Sequence, residues 1–403
     1  DCRVALVICD VISFDDDVAD TSRREAAAET GIPEDAILLT ATHTHTGPLY
    51  CGVLRDYLHH RAVERSEDGT DPCEMTDYRR TLTDGIVSAI RNAAADLRPA
   101  QLASGTTRET KLSFNRRFHM KNSETVVFNP GVGNPEILRP AGPIDPTVTM
   151  ILFSDPETKS PFAGFTNFAL HLDTTGGTLF SGDYPFYLSE SLRKVYGEDF
   201  VSVFGTGTCG DINHIDVTAE RQRRAPQIGD ELAETVLAGH QTLTPIAVPS
   251  LRWASRKITV PTQTVTPEEV ERSLAMRKEI VDNDGTSTFL ERVRATTVLD
   301  LSEHFAQGRT ELRIQAIAFD SDTAIVAIPG EVFVEHGLAI RAASPFAHTA
   351  IVELSDRNIS YVPTERAFRE GSYETVNSRL APGGGEQMVE SAIATLKSLK
   401  TGN

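Results

Sequence analysis

Two histidines one residue apart, in Thr42-His43-Thr44-His45-Thr46-Gly47-Pro48, are the most chemically pointed feature of the sequence. A strand-like apolar run, residues 36–42, leads straight into them. Side chains along a strand alternate faces, so His43 and His45 are expected to project to the same side. Neutral imidazoles sharing a face suit a transition metal, zinc above all. The plainer alternative is a pair of solvated polar side chains in a threonine-rich turn. His171 closes another strand-like run, residues 162–170, where a lone histidine is ordinarily structural. Glu331 comes directly after Pro329-Gly330 and is expected to open a helix over residues 331–343. There an acid also serves simply to meet the positive end of the helix dipole. Tyr361, in Ser360-Tyr361-Val362-Pro363-Thr364, reads by itself as a packed aromatic. Spacing alone does not join these four residues into one site.

The elements that would position them alternate between strand and helix patterns. That alternation predicts an α/β protein, with mixed sheets and flanking helices. Residues 4–10 and 36–42 read as strands around an amphipathic helix at 22–30. Thr76 is placed to cap a helix running to Leu97, because Leu82, Ile86, Ile90, Ala93 and Leu97 recur at helical spacing before Arg98-Pro99. Residues 162–170 and 200–204 are further strands, and 184–196 and 228–237 are helices. A proline-interrupted stretch at 243–260 is the best internal boundary. One catalytic domain over 1–403, with lobes at 1–247 and 248–403, is the expected organisation. Beyond the boundary lie two helices, at 267–282 and 288–307. Then come a hairpin of 312–319 with 323–328, turned by Asp320-Ser321-Asp322, and a last helix at 386–399.

Composition and absent motifs narrow the chemistry. The 403 residues carry 39 basic and 57 acidic side chains, a net charge of −18. Such a field repels nucleic-acid phosphates and anionic lipid. No apolar run reaches the ~18 residues that span a bilayer. The chain opens on a strand-like run without the pattern of a signal peptide. Its five cysteines, Cys2, Cys9, Cys51, Cys73 and Cys209, are scattered and lack any C-x-x-C pair, with Cys51 and Cys73 the nearest candidates for one disulfide. H-E-x-x-H, G-x-S-x-G and a P-loop are all missing. Gly205-Thr206-Gly207-Thr208-Cys209-Gly210 is literally G-x-G-x-x-G after a strand. The next residues, Asp211-Ile212-Asn213-His214, have no helical period, so a dinucleotide site is not expected. No group near Cys209 in sequence is arranged to activate it as a nucleophile.

Several short motifs occur in a telling order. They are residues 42–48, Phe114-Asn115-Arg116-Arg117, residues 167–171, Ser181-Gly182-Asp183, residues 207–213, Ile328-Pro329-Gly330-Glu331, and Tyr361-Val362-Pro363-Thr364 with Tyr373-Glu374 twelve residues on. Together they resemble the neutral/alkaline non-lysosomal ceramidase family, whose first motif is Thr-His-Thr-His-Ser-Gly-Pro. The resemblance runs from Val4 to Tyr373. It implies a neutral-ceramidase-like fold and an amidase with one catalytic Zn2+ held by His43, His171, Glu331 and Tyr361. It places His45, Arg116 and Tyr373 around the attacking water and the scissile carbonyl. Zinc brings the pKa of a water to about 7. Arg116 and Tyr373 would serve the oxyanion and His45 the leaving amine. The implied substrate is a small or lipid-like amide of the N-acylsphingosine type, and the implied compartment is secreted or periplasmic.

The sequence also departs from the family. Set against the family pattern, residues 1–403 are expected to correspond to the catalytic part without the opening strand and the carboxy-terminal β-sandwich, and the serine of Gly-Asp-Val-Ser-Pro-Asn has no counterpart in Gly210-Asp211-Ile212-Asn213-His214. Leu49-Tyr50 and Arg117-Phe118 replace smaller residues at positions expected around the pocket. With a net charge of −18 and a single tryptophan, Trp253, they favour soluble or short-chain amides over ceramide in bilayers. The alternatives are the same chemistry on an ester, a sugar amide or another small substrate. More remote are a metal-free binding protein and a dinucleotide-dependent oxidoreductase.

Overall fold

Side-chain alternation along the strands sets the layers. In the strand Arg309–Ala318, Leu312, Ile314, Ala316 and Ala318 face one cluster while Ile317 faces another. A strand with two apolar faces must be covered on both. In the computed structural model, which describes residues 2–74, 76–282 and 285–401, it is. The strand belongs to a four-stranded sheet ordered Arg252–Pro261, Arg309–Ala318, Thr323–Ala327, His348–Val352, whose last pair is parallel. The helix Gly384–Thr401 covers one face through Met388, Ala392 and Leu396. A five-stranded sheet runs Val201–Thr206, Pro161–Phe168, Thr147–Ser154, Gln101–Arg108, Thr244–Pro245. Its outer face packs under the helices Tyr184–Tyr196 and Ala225–His240, which bury Leu188, Leu192, Ile228 and Leu232. Between the sheets, Ile151 and Phe165 meet Ile325, Ala350 and Val352. The layering is therefore helix, sheet, sheet, helix, an α/β architecture with mixed sheets and flanking helices. A parallel pair, Ala5–Cys9 with Ile37–Ala41, packs against the helices Asp16–Thr30 and Tyr78–Ala95 beside this stack. No described helix is long and apolar enough to cross a membrane.

Several boundaries differ from the sequence expectation, each for a local reason. Asp77, not Thr76, caps the helix Tyr78–Ala95, its carboxylate accepting from Arg80 N–H, and the helix ends at Ala95 with Leu97 exposed. Asp15 likewise starts the first helix earlier by accepting from Val18 N–H. The stretch at 243–260 is not wholly irregular. Arg252–Pro261 pairs along its full length with Arg309–Ala318, and the prolines fall near or at strand ends, where a missing N–H is tolerated. Glu331 does not begin a helix. Glu331–Val332 is a short strand paired in parallel with Tyr361–Val362, and the helix starts at Val334. Cys51 and Cys73 are not bonded; both are free thiols.

Candidate active site

Parallel strands leave their carboxyl ends together, and the site lies just beyond them. His43 is two residues past the strand Ile37–Ala41, and His171 is three past Pro161–Phe168. Strand alternation is not what aligns His43 with His45, because the strand has ended. His43 instead takes a left-handed backbone conformation, φ 73°, with its N–H donated to Val11 O. A bulky residue seldom adopts that conformation unless its surroundings impose it. The threonines of the motif lock the turn: Thr44 and Thr46 hydroxyls both donate to Ser181 O, and His45 N–H donates to Leu172 O. Glu331 and Tyr361 are aligned by strand register, since they are direct partners in the parallel pair.

The three imidazoles converge through their Nε2 atoms. His43 and His171 stand 3.1 Å apart, and His45 and His171 3.2 Å apart. Glu331 Oε2 lies 3.2 Å from His43 Nε2 and 3.9 Å from His171 Nε2, buried and without a hydrogen-bond donor. The far nitrogens decide the tautomers. His43 Nδ1 is 2.7 Å from Ile12 O and His171 Nδ1 is 3.3 Å from Cys209 O, so each Nδ1 carries a proton donated to a carbonyl. Both Nε2 lone pairs then face one another and a carboxylate. One added proton cannot satisfy all of these acceptors; one cation can. Anchoring of a ring through its other nitrogen is also how metal-binding histidines are oriented. His45 has no such anchor among the described residues.

The electrostatics agree. Burial opposes a charge on His43, but the adjacent Glu331 carboxylate outweighs it and raises the pKa. His171, with burial and Arg116 both against its charge, is held well below the usual range. His45 keeps a solvent-exposed edge, while the protein on its other sides, and then His43, press its pKa down to about 4. Burial works to raise the Glu331 carboxyl, yet His43 and a hydrogen bond from Tyr361 bring it below its ordinary value.

Arg116 is buried beside Tyr361, its guanidinium carbon 5.4 Å from the centre of that ring. Its Nε donates to Glu374 Oε1 at 3.1 Å and its Nη2 to Gly210 O at 2.8 Å. The fully buried Glu374 also accepts from Arg117 Nη1 at 3.0 Å. Tyr373 packs edge-on against Tyr361, with ring centres 5.3 Å apart, and its oxygen accepts from Asn377 Nδ2. Of the replacements expected around the pocket, only Leu49 is at the surface. Tyr50 is buried with its hydroxyl on Ser13 O, and Arg117 and Phe118 are buried as well. Those three are packed within the fold, and Arg117 shares Glu374 with Arg116.

The glycine-rich segment acquires a different explanation from nucleotide binding. A Cβ on Gly210 would lie 2.3 Å from Glu331 O, and one on Gly207 would lie 2.9 Å from Ala169 N. These glycines let the backbone pass directly beneath the donor cluster. Cys209 is buried there with its thiol donating to Glu353 Oε1, and burial pushes its pKa well up, so it is inert as a nucleophile. Glu353 in turn accepts from Val332 N–H, and burial raises its carboxyl to about 8.

The structure thus brings His43, His45, His171, Glu331, Tyr361, Arg116 and Tyr373 into one neighbourhood. Sequence reasoning missed Asp173 and His214. Asp173 lies two residues past His171, pairs with His214 Nδ1 at 3.3 Å, and acts electrostatically on both His45 and Arg116. Burial opposes its charge, but His214 and Arg116 hold its carboxyl below the usual range. Its nearness to His171 in sequence was the available signal.

No family model and no curated protein matches the sequence. Solved structures do. Neutral ceramidase from Pseudomonas aeruginosa superposes with a TM-score of 0.67 at 18% identity, over 97% of this chain and 65% of that one. A ceramidase complexed with C2 gives a TM-score of 0.68 at 17% identity, over 97% of this chain and 66% of that one. The chain spans about two thirds of the length of these structures and has their fold.

Proposed function

We propose that this chain is a zinc-dependent hydrolase of a linear amide bond, acting on N-acyl amides of the N-acylsphingosine type. The observation that carries the proposal is the convergence of two anchored Nε2 lone pairs on a buried carboxylate oxygen that lacks a donor. The neutral ceramidase fold supports the same reading. His43, His171 and Glu331 would hold the ion, with Tyr361 completing the set. Imidazole and carboxylate oxygen are a donor set zinc accepts. When bound there, zinc would supply a Lewis acid and make a water acidic enough to react at neutral pH.

The remaining residues handle the substrate. Arg116, fixed on two sides, and Tyr373 present donors to the carbonyl oxygen as it gains charge. His45, with its pKa pressed down to about 4, is neutral at physiological pH, so it would take a proton from the attacking water and deliver it to the departing nitrogen. Asp173 favours the imidazolium that forms in between. Exposed Leu49, Leu179 and Phe180 adjoin the His45 turn, and exposed Phe289 packs on Tyr373. These apolar surfaces suit the acyl chain.

Elemental analysis and hydrolysis of an N-acyl amide test the proposal together. One zinc per chain is expected, with His43→Ala and His171→Ala losing it. His45→Ala should keep the zinc and lose rate. A chain that takes up no zinc and gains no activity when zinc is added would overturn the reading. Loss of metal from His45→Ala would place His45 among the ligands.

A further inference from the structure

We infer that a basic pocket beside the reaction centre binds an anionic group carried by the substrate, such as a phosphate, sulfate or carboxylate. The inference rests on the amidase reading and narrows its substrate class. A cavity of about 480 Å³ is lined by Thr174, His214, Arg221, Gln222, Arg223 and Arg224. It adjoins the site through two of these residues. Thr174 lies three residues past His171, and His214 bonds Asp173, which acts on His45 and Arg116.

The lining is organised to leave positive charge free. Gln222 donates to Asp216 O and Ala219 O and accepts from Asp216 N–H, which fixes the loop that presents Arg221. Arg223 is already committed to Glu231 and to Lys111 O. Among the described residues, neither Arg221 nor Arg224 has a carboxylate within ion-pair distance. Both are exposed, so two guanidinium groups without a carboxylate partner line one concavity of a chain that has 57 acids against 39 bases. Arg224 is also the residue from which the 16-residue helix Ala225–His240 starts, so the helix's positive end adds to the same field. Planar guanidinium forks match the oxygens of phosphate, sulfate or carboxylate. The carboxylate of Asp173, on the side toward His45, discourages the anion from moving to the reacting centre. The charged group therefore stays in the pocket while the amide lies beyond it.

The test uses two N-acyl amides that differ only in a neutral or a phosphorylated amine-side headgroup, supplied as monomers to the zinc-loaded chain. Wild type should show kcat/KM about tenfold higher for the phosphorylated amide at low salt. Arg221→Ala combined with Arg224→Ala should abolish that preference and leave the neutral amide's rate unchanged. High salt should shrink the preference in wild type. Calorimetric titration with phenyl phosphate and with inorganic phosphate gives a readout independent of turnover. If neither amide is hydrolysed but wild type binds phenyl phosphate at least tenfold more tightly than the double variant, the pocket stands and the amidase reading falls. Equal rates for the two amides, or a preference that survives the double variant, would overturn the inference. Inorganic phosphate binding without any charge preference among substrates would make the occupant a free anion, and would also overturn it.

Discussion

Arg116 is held by two bonds that a lysine cannot copy at once, one to Glu374 and one to Gly210 O. Arg116→Lys should therefore be nearly as damaging as Arg116→Ala, each lowering kcat by about 10²–10³, the usual loss for one oxyanion donor. Steady-state kinetics with zinc content checked alongside would show this; near-normal turnover by the lysine variant would remove Arg116 from the reaction. Glu374 acts one step back, as a positioning residue for Arg116. Glu374→Gln leaves Arg116 and Arg117 buried with their shared charge gone. A loss of about 3–5 kcal/mol in denaturant unfolding is expected from breaking such a buried pair. A fall in kcat larger than any change in KM should accompany it.

At the scale of elements, the short strand Glu331–Val332 holds the donor cluster in place. It is pinned by its pairing with Tyr361–Val362, by Glu353 on Val332 N–H, and by Gly210 N–H donated to Val332 O. Gly210→Ala would press a methyl group against Glu331 O. The expected outcome is about 1–3 kcal/mol of lost stability, typical of overpacking, with weaker zinc retention. Unfolding curves and competition with a chelator measure the two effects separately. Far from the site, the helix Ala225–His240 ends on His240, whose Nδ1 lies 2.9 Å from the Tyr196 hydroxyl. Burial lowers its pKa from 6.5 to about 4. The folded chain then binds fewer protons than the unfolded chain between those values, so stability falls as pH drops through that window. His240→Gln should flatten that acid slope by up to one proton relative to wild type, and an unchanged slope would refute the assignment.

The whole molecule carries −18 and presents no long apolar helix among its described residues. Its field opposes approach to anionic vesicles, while Leu179 and Phe180 offer only a small apolar lip. Hydrolysis of a monomeric N-acyl amide should exceed that of the same amide in anionic vesicles, compared as kcat/KM. Leu179→Ser with Phe180→Ser should raise KM for longer acyl chains and spare the acetyl compound. Faster turnover in vesicles would point instead to a surface-active enzyme.

Much of this protein is readable in its residues without coordinates. Strand and helix periods expose the α/β alternation, because burial imposes those periods locally. The hairpin at Asp320-Ser321-Asp322 stands where its turn residues stand. The Thr-His-Thr-His run and its companion motifs pick out by resemblance residues that the fold then brings near one another. The strand Gln101–Arg108, which pairs with Thr147–Ser154, is not legible in this way, since its own small and polar residues give weak alternation. Nor could periodicity reveal that His43 turns out of its strand, or that Glu331 lies in a strand beside Tyr361. Those features are stabilised by partners remote in the chain, such as Val11 for His43 and Ser360 for Glu331, and local pattern carries no record of them. The tertiary structure alone decides that two lone pairs and a carboxylate meet in a buried space, because that meeting requires strand ends and loops from across the chain to close on one point.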